Sequence, residues 1–151
     1  MNKLLTLCLV IKDGRVLLGM KKRGFGEGRW NGFGGKVQEG ETIEKAAIRE
    51  VKEESNLSVA GLEEVGVLIF SFEGDLQPLE VHIFATDEFG GEPMESEEMR
   101  PQWFDFDKVP YEEMWPDDRF WLPQVLAGRK VKGSFLFGEN DIILSKELTV
   151  E

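Results

Sequence analysis

Residues 35–57 read GKVQEGETIEKAAIREVKEESNL, and their apolar periodicity predicts one amphipathic helix over residues 43–55. Thr42 stands in front of this run, where an N-cap side chain accepts a backbone hydrogen bond, and Glu44 adds favourable charge to the first turn. Asn56 follows the run and can adopt the left-handed conformation that ends a helix. The stretch therefore carries local signals for both ends of a helix.

Carboxylates share the face of this predicted helix that should pack against the protein. At ~100° per residue, three glutamates fall within the arc of the apolar side chains, namely Glu50, Glu53 and Glu54. A solvated face is the usual explanation for helical glutamates, but here it would bury like charges that repel one another. Divalent cations that prefer oxygen ligands would neutralise them. The pattern predicts a metal site with Glu53 at its centre and essential for turnover.

The same 23 residues resemble the signature of the Nudix hydrolases, G-x5-E-x7-R-E-U-x-E-E-x-G-U, where U is aliphatic. The positions that match are Gly35, Glu41, Arg49, Glu50, Val51, Glu53, Glu54 and Leu57. The one departure is Asn56, which stands where the pattern has glycine. The resemblance implies a single α/β domain over residues 1–151 with the Nudix fold, an α/β/α sandwich around a mixed β-sheet. It also implies hydrolysis of a nucleoside diphosphate linked to another group.

The resemblance assigns chemical roles to individual residues. It implies a bound Mg²⁺, or Mn²⁺ in its place, which bridges phosphate oxygens and activates water. The catalytic residues it implies are Arg49, Glu50, Glu53 and Glu54. The metal ligands it implies are the carbonyl of Gly34 and the carboxylates of Glu50, Glu53, Glu54 and Glu98. Arg49 is expected to orient carboxylates by ion pairing, for instance with Glu41. For Glu98, a solvated position in the acidic run 95–98 is an equal alternative.

Outside this signature, three further segments resemble the eukaryotic MutT-homologue branch, the oxidised purine nucleoside triphosphatases. They are MKKRGFG at 20–26, GRWNGFGGK at 28–36 and MWPDD at 114–118. The resemblance implies hydrolysis of 8-oxo-dGTP and 2-hydroxy-dATP to the monophosphate and pyrophosphate, which would sanitise the nucleotide pool. The substrate-binding residues it implies are Thr6, Lys21, Phe25, Asn31, Phe33, Gly34, Gly35, Lys36, Phe70, Phe72, Met99, Trp115, Pro116, Asp117 and Asp118.

The residue types agree with a purine site, which needs flat apolar walls and a few polar groups at the base edge. Trp115 and Phe25 are suitable walls, because stacking on an aromatic ring contributes ~1–3 kcal/mol per base. Phe70 and Phe72 are equally typical of an ordinary core. Asn31 can bond a base edge or simply occupy a turn.

The adjacent acids Asp117 and Asp118 have two interpretations. As helix N-caps after Pro116 they would contribute ~1 kcal/mol of stability. At a base edge, desolvation and mutual repulsion would raise at least one pKa, so that one carboxyl stays protonated. A protonated acid donates and an ionised one only accepts. Such a pair could therefore accept either a 6-oxo or a 6-amino purine.

Composition limits the remaining possibilities. The 151 residues are 41% hydrophobic and 31% charged, as in one globular domain, and the net charge of −11 disfavours a nucleic acid polymer as partner. Residues 1–60 hold 11 Lys/Arg against 8 Asp/Glu, and residues 61–151 hold 7 against 21, so the basic residues lie in the half with the motif. No apolar run approaches the ~20 residues of a membrane span. We expect a cytoplasmic monomer, with nucleus and mitochondria as further locations in a eukaryote.

Two residues that often carry chemistry receive structural roles in this prediction. Cys8 lies among apolar neighbours and cannot form an intrachain disulfide, because it is the only cysteine. His82 is the only histidine and lies in a predicted strand, which excludes a multi-histidine zinc site. The other predicted elements are a helix at 116–127 and strands at 4–11, 15–20, 65–72, 81–86, 102–106, 134–137 and 142–148.

Two other functions fit the same pattern. One is a Nudix hydrolase for another substrate, such as ADP-ribose, a dinucleoside polyphosphate or a capped RNA. The other is an inactive Nudix module that only binds nucleotides. Inactive members usually lose glutamates of the signature, and all of them are present here.

Overall fold

A computed structural model describes residues 2–75 and 77–151. Within these ranges the chain forms ten strands and two α-helices, with α1 after the third strand and α2 after the eighth. The strands are β1 Lys3–Lys12, β2 Arg15–Lys21, β3 Trp30–Asn31, β4 Ser58–Ala60, β5 Glu63–Phe72, β6 Leu79–Thr86, β7 Glu88–Gly90, β8 Met99–Asp105, β9 Val131–Phe137 and β10 Ile143–Val150. The helices are α1 Ile43–Ser55 and α2 Asp118–Leu126. No helix in these two ranges is long and apolar enough to cross a membrane.

The main sheet is mixed, as predicted. Its order is β10-β9-β5-β6-β1-β2-β3, and β8 pairs with β2. Strands β1 and β6 run parallel, as do β5 and β9, while the other pairs in the main sheet are antiparallel. The β1–β2 hairpin turns at Asp13 and Gly14, whose φ angles of 53° and 75° suit a tight two-residue turn.

The two helices cover opposite faces of this sheet. Successive residues of β1 point to opposite faces, so Leu9 enters the larger core and Cys8 the smaller. Helix α2 packs Trp121 into the larger core, and α1 packs Val51 into the smaller one. The α/β/α sandwich is therefore confirmed. Cys8 is fully buried, and burial raises the pKa of its thiol to about 12, which agrees with a structural role.

The predicted elements are all present, with shifted ends. Helix α2 begins two residues later than predicted, and β9 begins three residues earlier. The small antiparallel sheet of β4 and β7 was not predicted, because each strand has only three residues. The predicted strands at 65–72 and 81–86 correspond to β5 and β6, which pair antiparallel; residue 76 of their connection lies outside the described ranges.

Candidate active site

Helix α1 is capped by the residues that the sequence indicated. The Thr42 side chain accepts a hydrogen bond from the Lys45 N–H at 3.1 Å. Asn56 has a φ of 72°, and its N–H donates to the Lys52 carbonyl at 3.0 Å. Asparagine thus ends the helix in the left-handed conformation that glycine most often supplies. The departure from the signature at this position leaves the helix end intact.

The glycine-rich segment, residues 32–35, lies against β1 and reaches the inner face of α1. Phe33 pairs with Cys8, and the Gly35 carbonyl accepts from the Thr6 N–H at 2.9 Å. A Cβ on Gly34 would overlap the carbonyl oxygen of Thr6, so this close approach requires glycine. The segment therefore brings backbone groups next to the glutamates of α1.

Glu54 is the most buried carboxylate of this cluster, with an exposed fraction of 6%. Its Oε1 accepts a hydrogen bond from the Gly34 N–H at 2.9 Å. Burial, together with a smaller effect of the nearby charge of Glu50, raises the pKa of Glu54 to about 8, although the hydrogen bond from Gly34 opposes this. Glu50 itself has a raised pKa because of desolvation, partly offset by its bond to Arg49. Two glutamates on the inner face are thus held close together at an energetic cost.

Arg49 organises the cluster. Its Nε and Nη2 donate to the two carboxylate oxygens of Glu41 at 2.7 and 3.0 Å, so the predicted ion pair is present and bidentate. Its Nη1 donates to Glu50 at 2.8 Å and to Glu53 at 3.3 Å. The side chain fixes the rotamers of the carboxylates around it and offsets part of their repulsion.

The prediction that Glu53 lies at the centre of the buried cluster is wrong. Its side chain is 58% exposed, at the rim, whereas Glu50 and Glu54 face inward. Glu53 lies ~100° around the helix from Glu54, which is enough to move it from the packed face to its edge. Glu98 pairs with Lys21 at 3.0 Å and with Arg23 at 2.8 Å, and its side chain is 39% exposed, so its role at a metal stays a prediction.

The donor set at this face fits a hard divalent cation. Within residues 2–75 and 77–151 no three acidic, histidine or cysteine side chains converge as a preformed metal site, since Arg49 engages the carboxylates. However, a Cβ on Gly35 would lie 2.7 Å from the Glu50 carboxylate, so glycine keeps this carboxylate accessible. In the same ranges no backbone hydrogen bond uses the Gly34 carbonyl. Two carboxylates and one carbonyl are oxygen donors of the kind that Mg²⁺ prefers.

A cavity of about 790 Å³ opens beside the carboxylates, and Glu54 is part of its wall. This volume suits a small organic ligand. Most of the predicted substrate-binding residues line it, as the structure places there Thr6, Lys21, Phe25, Asn31, Gly34, Gly35, Lys36, Phe70, Phe72, Met99, Trp115, Asp117 and Asp118. Of the predicted metal ligands, Gly34 and Glu54 line this same cavity.

The aromatic wall is also part of the larger core. The Trp115 ring lies 5.0 Å from Phe25 and 6.2 Å from Phe72, between ring centroids. Phe72 stacks on Phe137 at 5.3 Å, and Phe70 packs on the same core cluster. Phe70 and Phe72 thus pack on the core and also line the cavity, and their contact with a base stays a prediction. These rings are wall and core at once.

Two predicted substrate contacts are not supported. Phe33 is fully buried in the smaller core, where its ring packs over Gly19, because the glycine-rich segment turns this side chain away from the cavity. Pro116 is not among the described residues that line the cavity, although its neighbours on both sides are. Asn31 does line it, and its Oδ1 accepts from the Gly32 N–H at 2.9 Å, which leaves the side-chain NH₂ for a ligand.

The capping interpretation of Asp117 and Asp118 is wrong. Asp117 precedes α2 but makes no side-chain cap hydrogen bond; its Oδ2 accepts from the indole N–H of Trp121 at 2.7 Å. Both aspartates are only 3% exposed. Among the described residues, Oδ2 of Asp118 has no hydrogen-bond partner, and an unsatisfied buried acceptor costs ~1–3 kcal/mol. These carboxyls are oriented toward the cavity at the expense of stability.

Burial raises the pKa of both aspartates, and the charge of Asp117 raises that of Asp118 further. The two carboxyls therefore favour sharing a proton over ionising together. Because the cavity holds an acid that can donate and one that can accept, it can bond either edge pattern of a purine.

Several lining residues escaped prediction. They are Lys3, Leu5, Leu7, Gly26, Gly32, Asp75, Leu79, Val81, Ile83, Trp121 and Phe137. The parallel register pairs Leu5 with Val81 and Leu7 with Ile83, so these alternate positions share one face. The alternation was readable from the sequence, but the pairing of β1 with β6 was not. Trp121 follows Asp117 by four residues, the spacing of one helical turn, and this was a usable signal.

The raised pKa of Glu54 predicts how stability depends on pH. In the metal-free protein, the stability contributed by protonated Glu54 is fully present below a pH of about 4.5, the ordinary pKa of glutamate. This contribution is lost as the pH rises to about 8. Each unit of pKa difference corresponds to roughly 1.4 kcal/mol. We therefore expect the free energy of unfolding to fall between pH 5 and 8 more steeply in the wild type than in Glu54→Gln. Urea unfolding with a chelator at several pH values measures this, and equal slopes would contradict it.

Comparison with known proteins gives one consistent result. The NUDIX domain model matches residues 2–125. The chain is 57% identical over 147 residues to the "Oxidized purine nucleoside triphosphate hydrolase" of Mus musculus and 56% identical to the protein of that name from Danio rerio, covering 97% of this chain and 94% of each relative. The crystal structure of the MutT protein from Bacillus halodurans matches with a TM-score of 0.87 at 29% identity, covering 97% of both chains. The chain belongs to the Nudix family.

Proposed function

We propose that this protein hydrolyses oxidised purine nucleoside triphosphates, such as 8-oxo-dGTP and 2-hydroxy-dATP, to the monophosphate and pyrophosphate. One observation carries the proposal: a single cavity joins the buried carboxylate of Glu54 on α1 to the buried pair Asp117 and Asp118. A nucleotide can therefore present its phosphates and its base edge to the two groups at once. The relatives from mouse and zebrafish bear the name of this activity over nearly their whole length.

Nudix hydrolases generally need a divalent cation, and we propose Mg²⁺, with Mn²⁺ able to replace it. Glu50, Glu54 and the Gly34 carbonyl would hold it. Bound there, the cation would neutralise phosphate oxygens and lower the pKa of a water molecule. Arg49 keeps the carboxylates in place, and Lys21 and Lys36 add positive charge to the cavity wall. These cations offset part of the repulsion between the triphosphate and an acidic protein.

The base is held at the other end of the cavity. Trp115 offers a flat apolar surface, and Asn31 offers a side-chain amide. Asp117 is fixed by Trp121, while Oδ2 of Asp118 can bond a ligand instead of staying unsatisfied. The base edge would satisfy a buried acceptor that the protein alone leaves open. Binding would thereby recover part of the stability that this carboxyl costs.

The bond that is cleaved gives a direct prediction. With 8-oxo-dGTP in H₂¹⁸O, we expect pyrophosphate and 8-oxo-dGMP as products, because in the proposed reaction water breaks the bond between the α and β phosphates. Mass spectrometry of both products locates the oxygen, and anion-exchange chromatography identifies them. Release of orthophosphate from the same substrate would contradict the proposal.

Other substrates remain to be compared in the same assay. ADP-ribose, dinucleoside polyphosphates and NAD-capped RNA are the alternatives within the family; relatives named NAD-capped RNA hydrolase share 28–35% identity over about two thirds of this chain. These alternatives can also carry a purine, so the preference for oxidised purine nucleoside triphosphates rests on the similarity to the mouse and zebrafish relatives. A kcat/KM for any of them above that for 8-oxo-dGTP would replace the proposed substrate. If the protein turned over none of these substrates, an inactive Nudix module that only binds nucleotides would be favoured.

A further inference from the structure

Arg29 links the aromatic wall to a distant loop, and the proposed chemistry does not use it. It lies directly before β3, and its guanidinium carbon is 4.2 Å from the centroid of the Trp115 ring. Its Nη1 donates to Oδ2 of Asp141 at 3.0 Å, across 112 residues of sequence. Both side chains of this ion pair are about two-thirds buried. Partial burial strengthens the pair relative to a solvated surface ion pair.

The loop between β9 and β10 is shaped to present Asp141. Asn140 and Asp141 have φ angles of 58° and 59°, in the left-handed region that non-glycine residues seldom adopt. The Asp141 N–H donates to the Gly138 carbonyl at 3.1 Å, which holds the turn closed. Two successive left-handed residues cost free energy and persist only where neighbouring contacts hold them. The ion pair with Arg29 is such a contact.

Trp115 needs support from outside its own segment. It lies between a short 3₁₀-helix, Tyr111–Glu113, and α2, so no regular element contains it. The indole contacts the rings of Phe25, Phe72 and Phe137. Of these, Phe25 is 68% exposed and stands between Gly24 and Gly26. The Arg29 guanidinium is the charged group over the indole. A cation held over an aromatic face by an ion pair restrains the ring's orientation.

We propose that Arg29 is a positioning residue for base recognition: its guanidinium holds the Trp115 indole in place, and Asp141 holds the guanidinium. The proposal deepens the proposed function and rests on it. Arg29 touches the wall rather than the reacting phosphates. Its loss should therefore weaken nucleotide binding and leave the chemical step nearly unchanged. Its charge also favours the ionised forms of Asp117 and Asp118, against the effect of burial.

The test compares KM with kcat for 8-oxo-dGTP. In Arg29→Met, which keeps an apolar stem of similar length, we expect KM to rise about 3- to 30-fold, the range of a cation–π contribution, with kcat within threefold. Asp141→Asn should raise KM less, and Arg29→Lys should recover part of the affinity. The matched control is Arg15→Met. Arg15 also forms an ion pair at 3.0 Å, with Asp105, and this pair does not line the cavity. Its KM should equal that of the wild type.

A charge exchange separates the indole contact from the ion pair. The double variant Arg29→Asp/Asp141→Arg can restore the ion pair but places a carboxylate beside Trp115, so we expect KM to stay raised. Recovery of the wild-type KM, or an unchanged KM in Arg29→Met, would overturn the role of Arg29. The wild type in the same assay tests the proposed function separately: if it does not turn over 8-oxo-dGTP, that function fails. In that case binding of 8-oxo-dGMP, measured by calorimetry in wild type and Arg29→Met, tests the role of Arg29 alone.

Discussion

Replacing Glu54 by glutamine is expected to lower kcat by roughly two to four orders of magnitude, the scale of losing a key catalytic group. Glutamine keeps the shape of the side chain and can still accept the hydrogen bond from Gly34. It cannot supply the negative charge that a divalent cation requires. Steady-state kinetics at saturating Mg²⁺ measures the effect, and circular dichroism checks that the fold persists.

Glu44→Gln is the matched control for this experiment. Glu44 lies in the first turn of the same helix but is exposed, so its replacement removes one charge from α1 without touching the cavity. We expect its kcat to equal that of the wild type. Near-normal turnover of Glu54→Gln would contradict the assignment of the inner carboxylates. Equal losses in both variants would mean that helix charge alone matters.

The second large effect is expected at Asp117 and Asp118. Each Asn replacement fixes one hydrogen-bonding pattern and removes the option of protonation. Discrimination between 8-oxo-dGTP and 2-hydroxy-dATP should then shift by ~1–3 kcal/mol, the size of a good base-edge contact. Asp118→Asn should disturb the ratio directly, since Oδ2 of Asp118 has no partner among the described residues. Asp117→Asn should disturb it differently, because it also alters the bond to Trp121.

The wild-type preference should also drift with pH. Because burial raises the pKa of both aspartates, the pair loses its shared proton at a pH above the ordinary range for carboxyls. Raising the pH through that region removes the donor and leaves two acceptors. The measurement is kcat/KM for both substrates, in both variants, over a pH series. A constant ratio in every variant at every pH would leave the purine preference without a basis in this pair.

Local signals explain which features the sequence revealed. The N-cap at Thr42, the left-handed Asn56 and the apolar stripe of α1 depend on neighbours within a few residues, so the helix was predictable to its ends. The pair of Arg49 with Glu41 was also predictable, because the resemblance to the signature implies that Arg49 orients carboxylates by ion pairing. Adjacency of Asp117 and Asp118 already indicated coupled pKa values.

Long-range packing explains what the sequence concealed. The ~100° between Glu53 and Glu54 on α1 is a local feature that places Glu53 at the rim, but the sequence does not show that the Gly34 N–H meets Glu54. Phe33 lies amid predicted substrate contacts, yet the pairing with Cys8 turns its ring into the smaller core. The link from Arg29 to Asp141 joins segments next to β3 and β10, which stand at opposite ends of the strand order and are 112 residues apart in sequence. No local pattern encodes these three contacts.

A competition assay tests the central claim most directly. The wild-type protein with Mg²⁺ would receive an equimolar mixture of 8-oxo-dGTP, 2-hydroxy-dATP, dGTP, dATP and ADP-ribose, and chromatography would follow each substrate over time. The cavity joins Glu54 to the buried acid pair, and the mouse and zebrafish relatives are named for oxidised purine nucleoside triphosphates. We therefore expect the two oxidised nucleotides to disappear first, with pyrophosphate and their monophosphates accumulating together. Faster loss of ADP-ribose, or equal loss of oxidised and unmodified nucleotides, would contradict the claim.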